Sequence, residues 1–347
     1  MPLVQYFKAR QAHRFHRAKK LKGRPEWQDM IPTTREGRDA YAIAAKHEKA
    51  FSQAFLEAQR SILDDDTKAA LKEAWNKGAG LTEILNIIPT FNRGATDQLP
   101  VWRKFMDKVK AAYTAIVEEA GQDALDVLNE KLKLKNPLQF TLSSESVQKK
   151  AVPIVPPNPY SQKWIEERSL QLVEQGVTQG QVDTLRAIIG NAYDKGLRGQ
   201  EVIDQIERNI GLTEREYEAV ERRRELYEDE GWSKDEVDEM TDAYESDLLR
   251  SRANRIARTE TTAAQAHGRN AAWQSAKEAD ALPPVERVWT APPASPNPNR
   301  PCEICLDLDG KTADIGEPYD SEELGPIDHP PAHPNCRCTE VLRRVRE

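Results

Sequence analysis

All four cysteines of this chain fall after residue 300, as Cys302-x-x-Cys305 and Cys336-x-Cys338, and no other feature limits its folding so sharply. The second pair closes the run His329-Pro330-Pro331-Ala332-His333-Pro334-Asn335-Cys336-Arg337-Cys338. Two close thiol pairs about thirty residues apart, with imidazoles beside the second, supply the donors that a four-coordinate zinc ion takes. A disulfide is the competing reading, but nothing else in the sequence points to an oxidising compartment. The expected ligands are Cys302, Cys305, Cys336 and Cys338, because an x-x spacing folds two thiolates back on one ion in a tight turn. The Cys336-x-Cys338 pair is less usual, since alternate residues of an extended chain share a face yet lie ~6.5 Å apart. His333 is therefore the alternative ligand, and His329 reads as a loop residue among prolines.

The 347 residues are enough for two or three domains, each with its own core. Charged residues make up 31% and the mean hydropathy is -0.74, so those cores are modest. No window approaches the ~18–20 apolar residues of a membrane span. The first thirty residues lack the apolar centre of a signal peptide, so neither secretion nor a membrane anchor is expected. A net charge of -7 argues against a chain that binds nucleic acid over its whole surface. Residues 1–25 run against that average: Lys8, Arg10, Arg14, Arg17, Lys19, Lys20, Lys22 and Arg24 precede the first acid, Glu26. Such a basic arm suits DNA phosphates or an acidic protein surface, with a frayed, solvated tail as the plain alternative.

Apolar periodicity divides the rest. Ala44, Phe51, Phe55, Ala58 and Ile62 fall on one face of a helix over 36–63. Leu71, Ala74 and Trp75 mark the next helix, broken at Gly78-Ala79-Gly80, and a short one from Ile84 to Ile88 is stopped by Pro89. A long helix from Val101 to Ala120 buries Val101, Phe105, Val109, Ala112 and Ile116, and Gly121 bends or divides it before Leu125, Leu128 and Leu132. Residues 1–135 thus read as a helical N-terminal domain with its basic arm. Residues 136–160, where Pro137, Pro153, Pro156, Pro157 and Pro159 oppose regular helix, form a linker or extended arm. Residues 161–282 read as a helical middle domain, with capping boxes at Thr178/Gln181, Thr213/Glu216 and Ser233/Glu236 and terminators at Gly196 and Gly211. Glu214–Glu230 is nearly all charge, with Tyr217, Val220 and Leu226 as its apolar points, and reads as a solvated helix. The segments Val285–Thr290 and Thr339–Val345 have strand character and are expected to pair beside the cysteines, with Ala291–Pro301 as a loop. Residues 283–347 are then a small Cys/His module. The fold expected is mainly α, with a zinc-stapled α+β module at the C-terminal end.

Four pieces recur in order: Ile256-Ala257-Arg258-Thr259-Glu260 on a helix, then Trp289, then Leu308-Asp309-Gly310-Lys311, then His333-Pro334-Asn335-Cys336-Arg337-Cys338. Their order and spacing resemble the C-terminal domain of the Mu F-like minor head (head morphogenesis) proteins of tailed bacteriophages. The detailed match covers about residues 248–340, and residues 1–150 carry no signature. The resemblance implies a structural virion protein of low copy number that acts in head assembly. It places the protein in the host cytoplasm during assembly and then on the inner side of the capsid near the portal. Its expected partners are the portal and major capsid proteins, with DNA as a further contact through residues 1–25.

Two enzymatic readings compete. An arginine and a glutamate, Arg258 and Glu260, suit ADP-ribosyl transfer, but that chemistry needs a strand framework around nicotinamide and this segment is helical. Arg258, Thr259 and Glu260 therefore read as a structural motif, with Arg255 beside them and the small Ala257, Ala263, Ala264 and Ala266 allowing close packing. His267 and Asn270 read as hydrogen-bonding groups. Asp328-His329 and Asn335 mimic a zinc-stapled HNH nuclease, with the histidine as general base. The short, proline-filled interval and the β-like tail oppose that geometry. No enzymatic activity is expected.

Overall fold

Helices occupy most of the chain because its apolar residues recur at three and four. The computed structural model describes residues 35–88, 100–132, 159–172, 178–197, 199–292 and 301–345. The basic arm 1–25, Pro89 and all of 136–158 lie outside the described residues, as do the side chains of Val101, Leu132, Thr178 and Gln181. Ten helices are described: α1 (Arg35–Arg60), α2 (Asp65–Asn76), α3 (Leu81–Ile87), α4 (Pro100–Leu132), α5 (Pro159–Gln171), α6 (Thr178–Asp194), α7 (Gly199–Asn209), α8 (Glu214–Asp229), α9 (Lys234–Glu278) and α10 (Glu303–Leu308). Five short strands follow α9: β1 (Val285–Thr290), β2 (Thr312–Ala313), β3 (Tyr319–Ser321), β4 (Gly325–Ile327) and β5 (Thr339–Arg344). The fold is mainly α with a small C-terminal α+β region.

Several expectations are revised. α4 runs unbroken through Gly121, whose place on its buried side leaves the helix no reason to divide there. Tyr113 is buried where Ala112 is only half-buried. Pro159 opens α5 instead of excluding helix, because the first helical position has no amide hydrogen bond to lose. On α8, Leu226 is 52% exposed and Tyr227 takes the buried position, stacked on Trp232 with ring centroids 4.7 Å apart. Gly211 is not a left-handed terminator. A Cβ there would lie 2.4 Å from Leu249 Cδ1, so the glycine serves close packing. The capping boxes at Thr213/Glu216 and Ser233/Glu236 form with both reciprocal bonds.

Packing groups the chain into two compact units that are not consecutive stretches: 47–115 with 162–257, and 1–46 with 116–161 and 258–347. The first has an aromatic centre. Phe51, Phe55, Trp102, Phe105 and Tyr113 are all buried, with Phe51–Phe105 and Trp102–Phe105 meeting edge-on at 6.4 and 5.8 Å. A partly buried polar layer accompanies it, in which Lys195 pairs with Glu221 at 2.5 Å and Arg224 with Asp238 at 2.6 Å. Burial pushes Glu245 in this layer up to about 7, against the pull of Arg208 4.0 Å away.

The second unit brings α9 against α4. Gly268 is required there, since a Cβ would sit 2.5 Å from the Val117 carbonyl oxygen. Next to it, fully buried Arg269 pairs with Asp123 at 3.0 Å and lies over Trp273. The strands belong to this unit. β1 pairs antiparallel with β5 along its whole length, Val285 opposite Arg344 and Thr290 opposite Thr339, and β2 flanks its other edge. β3 and β4 form a separate hairpin, which the sequence reading did not foresee.

Candidate metal centre

The Cys302–Cys305 pair is placed by α10. Cys302 is its N-cap residue in extended backbone and Cys305 sits one turn in, with Leu306 N–H donating to the Cys302 carbonyl at 3.0 Å. The other donors come from the loop before β5. There the Cys336 amide donates to the His333 carbonyl at 3.2 Å, closing a turn with Pro334 and Asn335 at its centre. Asn335 has φ of 64°. Proline second and a left-handed residue third is the chemistry of a type II turn, and asparagine tolerates that conformation better than most residues.

The two pairs meet. His333 Nε2 lies 3.1 Å from Cys302 Sγ and 3.0 Å from Cys305 Sγ, and Cys305 Sγ lies 3.9 Å from Cys336 Sγ. Two triads of donors are each within 4.8 Å of one another, Cys302–Cys305–His333 and Cys305–Cys336–Cys338, so Cys305 belongs to both. These groups are close enough to hold a metal ion. None of the four thiols is disulfide-bonded. All four expected cysteines and His333 are therefore brought together, whereas His329 turns its Nδ1 to the Pro330 carbonyl at 2.8 Å.

The donor set suits a tetrahedral ion. Bonds of about 2.3 Å to sulfur and 2.0 Å to nitrogen put neighbouring donors ~3.5–3.8 Å apart, against 3.0–3.9 Å between these donors. His333 Nδ1 lies 2.9 Å from the Pro334 carbonyl, an arrangement that fixes the tautomer and leaves Nε2 free to ligate. The Cys338 amide donates to Cys336 Sγ at 3.5 Å. Hydrogen bonds from Cys305 and then Cys338 hold the Cys336 thiol well below its ordinary value. The same sharing, with Cys336 first, pushes Cys305 up to about 11, and the thiols raise His333 to about 11. The cluster thus favours positive charge at its centre, which a divalent cation supplies while displacing protons. Trp289, Leu308 and Tyr319 pack around the sulfurs as a dry shell.

The four sequence pieces converge on this module. Arg258 on α9 donates to the Asn335 side chain, and Thr259 Oγ1 accepts from the Asn335 amide at 2.8 Å. Glu260 is buried on the same helix. Trp289 is wedged against the Leu-Asp-Gly-Lys step: its amide donates to Lys311 O and its carbonyl accepts from Gly310 N, both at 2.9 Å. Asp309 Oδ1 accepts from the Ala291 amide at 2.8 Å.

Arg287 is the residue that sequence reasoning missed. It is 2% exposed, with Nη1 3.1 Å from Glu340 Oε2, 2.9 Å from Asn270 Oδ1 and 2.7 Å from the Asp328 carbonyl. Its Nε reaches the Asp314 carbonyl at 3.2 Å, and Tyr319 donates to Glu340 at 3.0 Å. Asn270 also donates to Glu340, so it links α9 to β5 and not only to its own helix. The available signal was alternation: two residues before Trp289 on a strand, Arg287 must share its buried face. His267 contacts Ser161 at 3.2 Å, and burial keeps its imidazole neutral, with its pKa down at about 3.

A family model described as Phage Mu protein F like protein matches residues 183–341. No curated protein and no solved structure matches the chain. Among the described residues no helix is long and apolar enough to cross a membrane. The family match spans every one of the four converging pieces, and over residues 183–341 this chain is similar to the Phage Mu protein F-like family.

Proposed function

We propose that this protein is a structural component of a phage head, acting in head assembly by binding and not by catalysis, with a zinc-stapled C-terminal module. The observation that carries the reading is the family match over a segment whose motif residues converge on one module. On this reading the portal and major capsid proteins are the binding partners and the protein resides inside the particle. The basic arm 1–25 adds a contact to DNA or to an acidic head surface. Zinc, held by Cys302, Cys305, Cys336 and either Cys338 or His333, fixes two loops that the small sheet alone cannot hold.

Support for a non-catalytic role comes from what the alternative residues already do. The Asn335 amide and side chain are engaged by Thr259 and Arg258, and the His329 ring lies against His267 with centroids 6.1 Å apart. A nonsense allele complemented in trans tests the role. The expected result is loss of DNA-filled heads without the protein, recovery with it, and the chain detected in purified particles. Its absence from particles, or metal-dependent DNA cleavage that disappears in a stably folded His329→Ala chain, would overturn the reading.

A further inference from the structure

We propose that Arg258 and Thr259 are positioning residues for the metal centre: from α9 they lock the left-handed Asn335 turn whose two ends present His333 and Cys336. The inference rests on the metal reading above and adds residues outside the donor set.

The turn is short and its shape decides which donors face each other. His333 and Cys336 are three residues apart and their backbones are joined by the 3.2 Å bond from Cys336 N–H to the His333 carbonyl. Between them Asn335 holds φ of 64°, a conformation that most L-residues avoid because Cβ crowds the following carbonyl. A turn carrying such strain relaxes unless its neighbours over-determine it. Two groups do so here from the same helix. Thr259 Oγ1 accepts the Asn335 amide at 2.8 Å, and Arg258 Nη1 donates to Asn335 Oδ1. The main chain and the side chain of one residue are thereby both fixed to α9. Cys336 follows immediately, so its sulfur is aimed at Cys305 by a clamp that lies outside the donor set.

A metal site that depends on such outer hydrogen bonds loses about 10–100-fold in affinity when they are removed. The proposal also explains why the Arg-Thr step and the His-Pro-Asn-Cys run, more than seventy residues apart, meet at one residue.

The test uses the full-length chain, its affinity for zinc measured by chelator competition and its Co(II) spectrum recorded. Thr259→Val should weaken zinc binding about tenfold or more and alter the thiolate-to-cobalt bands, whereas Thr259→Ser, which keeps the hydroxyl, should restore both. Wild-type affinity and spectrum in Thr259→Val would overturn the proposal while leaving the metal centre standing. A wild-type chain that binds neither ion would overturn the centre and the proposal together. Asn335→Gly keeps the left-handed turn but removes the acceptor for Arg258, and so carries the test should Thr259→Val not fold. It should bind several-fold more weakly, and unchanged affinity there would remove Arg258 from the clamp.

Discussion

The aromatic cluster around Phe105 and the thiol module around Cys305 are both buried, and both draw on segments far apart in sequence, yet different physics holds them. Phe51, Phe55, Trp102, Phe105 and Tyr113 sit on long helices with continuous apolar faces. Their stability is spread over many contacts, each edge-on ring pair adding about 0.5–1.5 kcal/mol beyond its buried area. The module at 285–345 has strands of two to six residues and few large apolar side chains. It concentrates its polar contacts in a few specific groups: five side chains close enough to hold a metal ion and one buried arginine. A distributed core tolerates a single loss; a concentrated one does not.

That contrast is broken most severely at Cys305, the donor common to both triads. A structural zinc contributes about 10–16 kcal/mol to a small module. Cys305→Ser should therefore abolish amide-exchange protection across 285–345 while the amides of 51–113 keep theirs. Loss of protection in both regions would show that the two are not separately held. Next is the buried pair: Arg287→Met takes the arginine from buried Glu340 and leaves it only its bonds from Tyr319 and Asn270, which should cost about 3–5 kcal/mol in denaturant unfolding of the module. The double change with Glu340→Gln should recover much of that loss. Phe105→Ala gives the reverse pattern, costing about 3–5 kcal/mol in the aromatic cluster with zinc stoichiometry unchanged.

A smaller effect depends on pH. Burial pushes the Glu245 carboxyl up to about 7 from 4.5, so between those values the folded state holds a proton that the unfolded state has released. Stability in this layer is present below about pH 4.5 and falls as pH rises toward 7, by about 3 kcal/mol at most. Glu245→Gln should flatten that slope in thermal melts taken across pH 4.5–7.5. Smallest is Thr213→Ala, which removes one capping box and should cost about 1 kcal/mol.

The helices were legible because periodicity and caps are local. Phe51, Phe55, Phe105 and Leu125 announced their buried faces, and Thr213 and Ser233 their helix starts. The β1–β5 pair and the meeting of the thiols were legible from β-branched runs and spacing. What could not be read is which distant segments share a unit. Nothing near Gly268 says that Val117 will lie against it, nor near Glu340 that Arg287 needs it. Long-range packing satisfies such groups, and a single sequence records only one partner's need at a time. The β3–β4 hairpin escaped for a related reason: three-residue strands leave no period to count.

Elemental analysis of the purified full-length chain, paired with a free-thiol count before and after chelation, tests the metal-stapled module most directly. The account predicts one zinc per chain, with thiols that react fully only once the metal is withdrawn and the fold of 285–345 lost with it. Four freely reactive thiols, no bound metal and an intact module would contradict it.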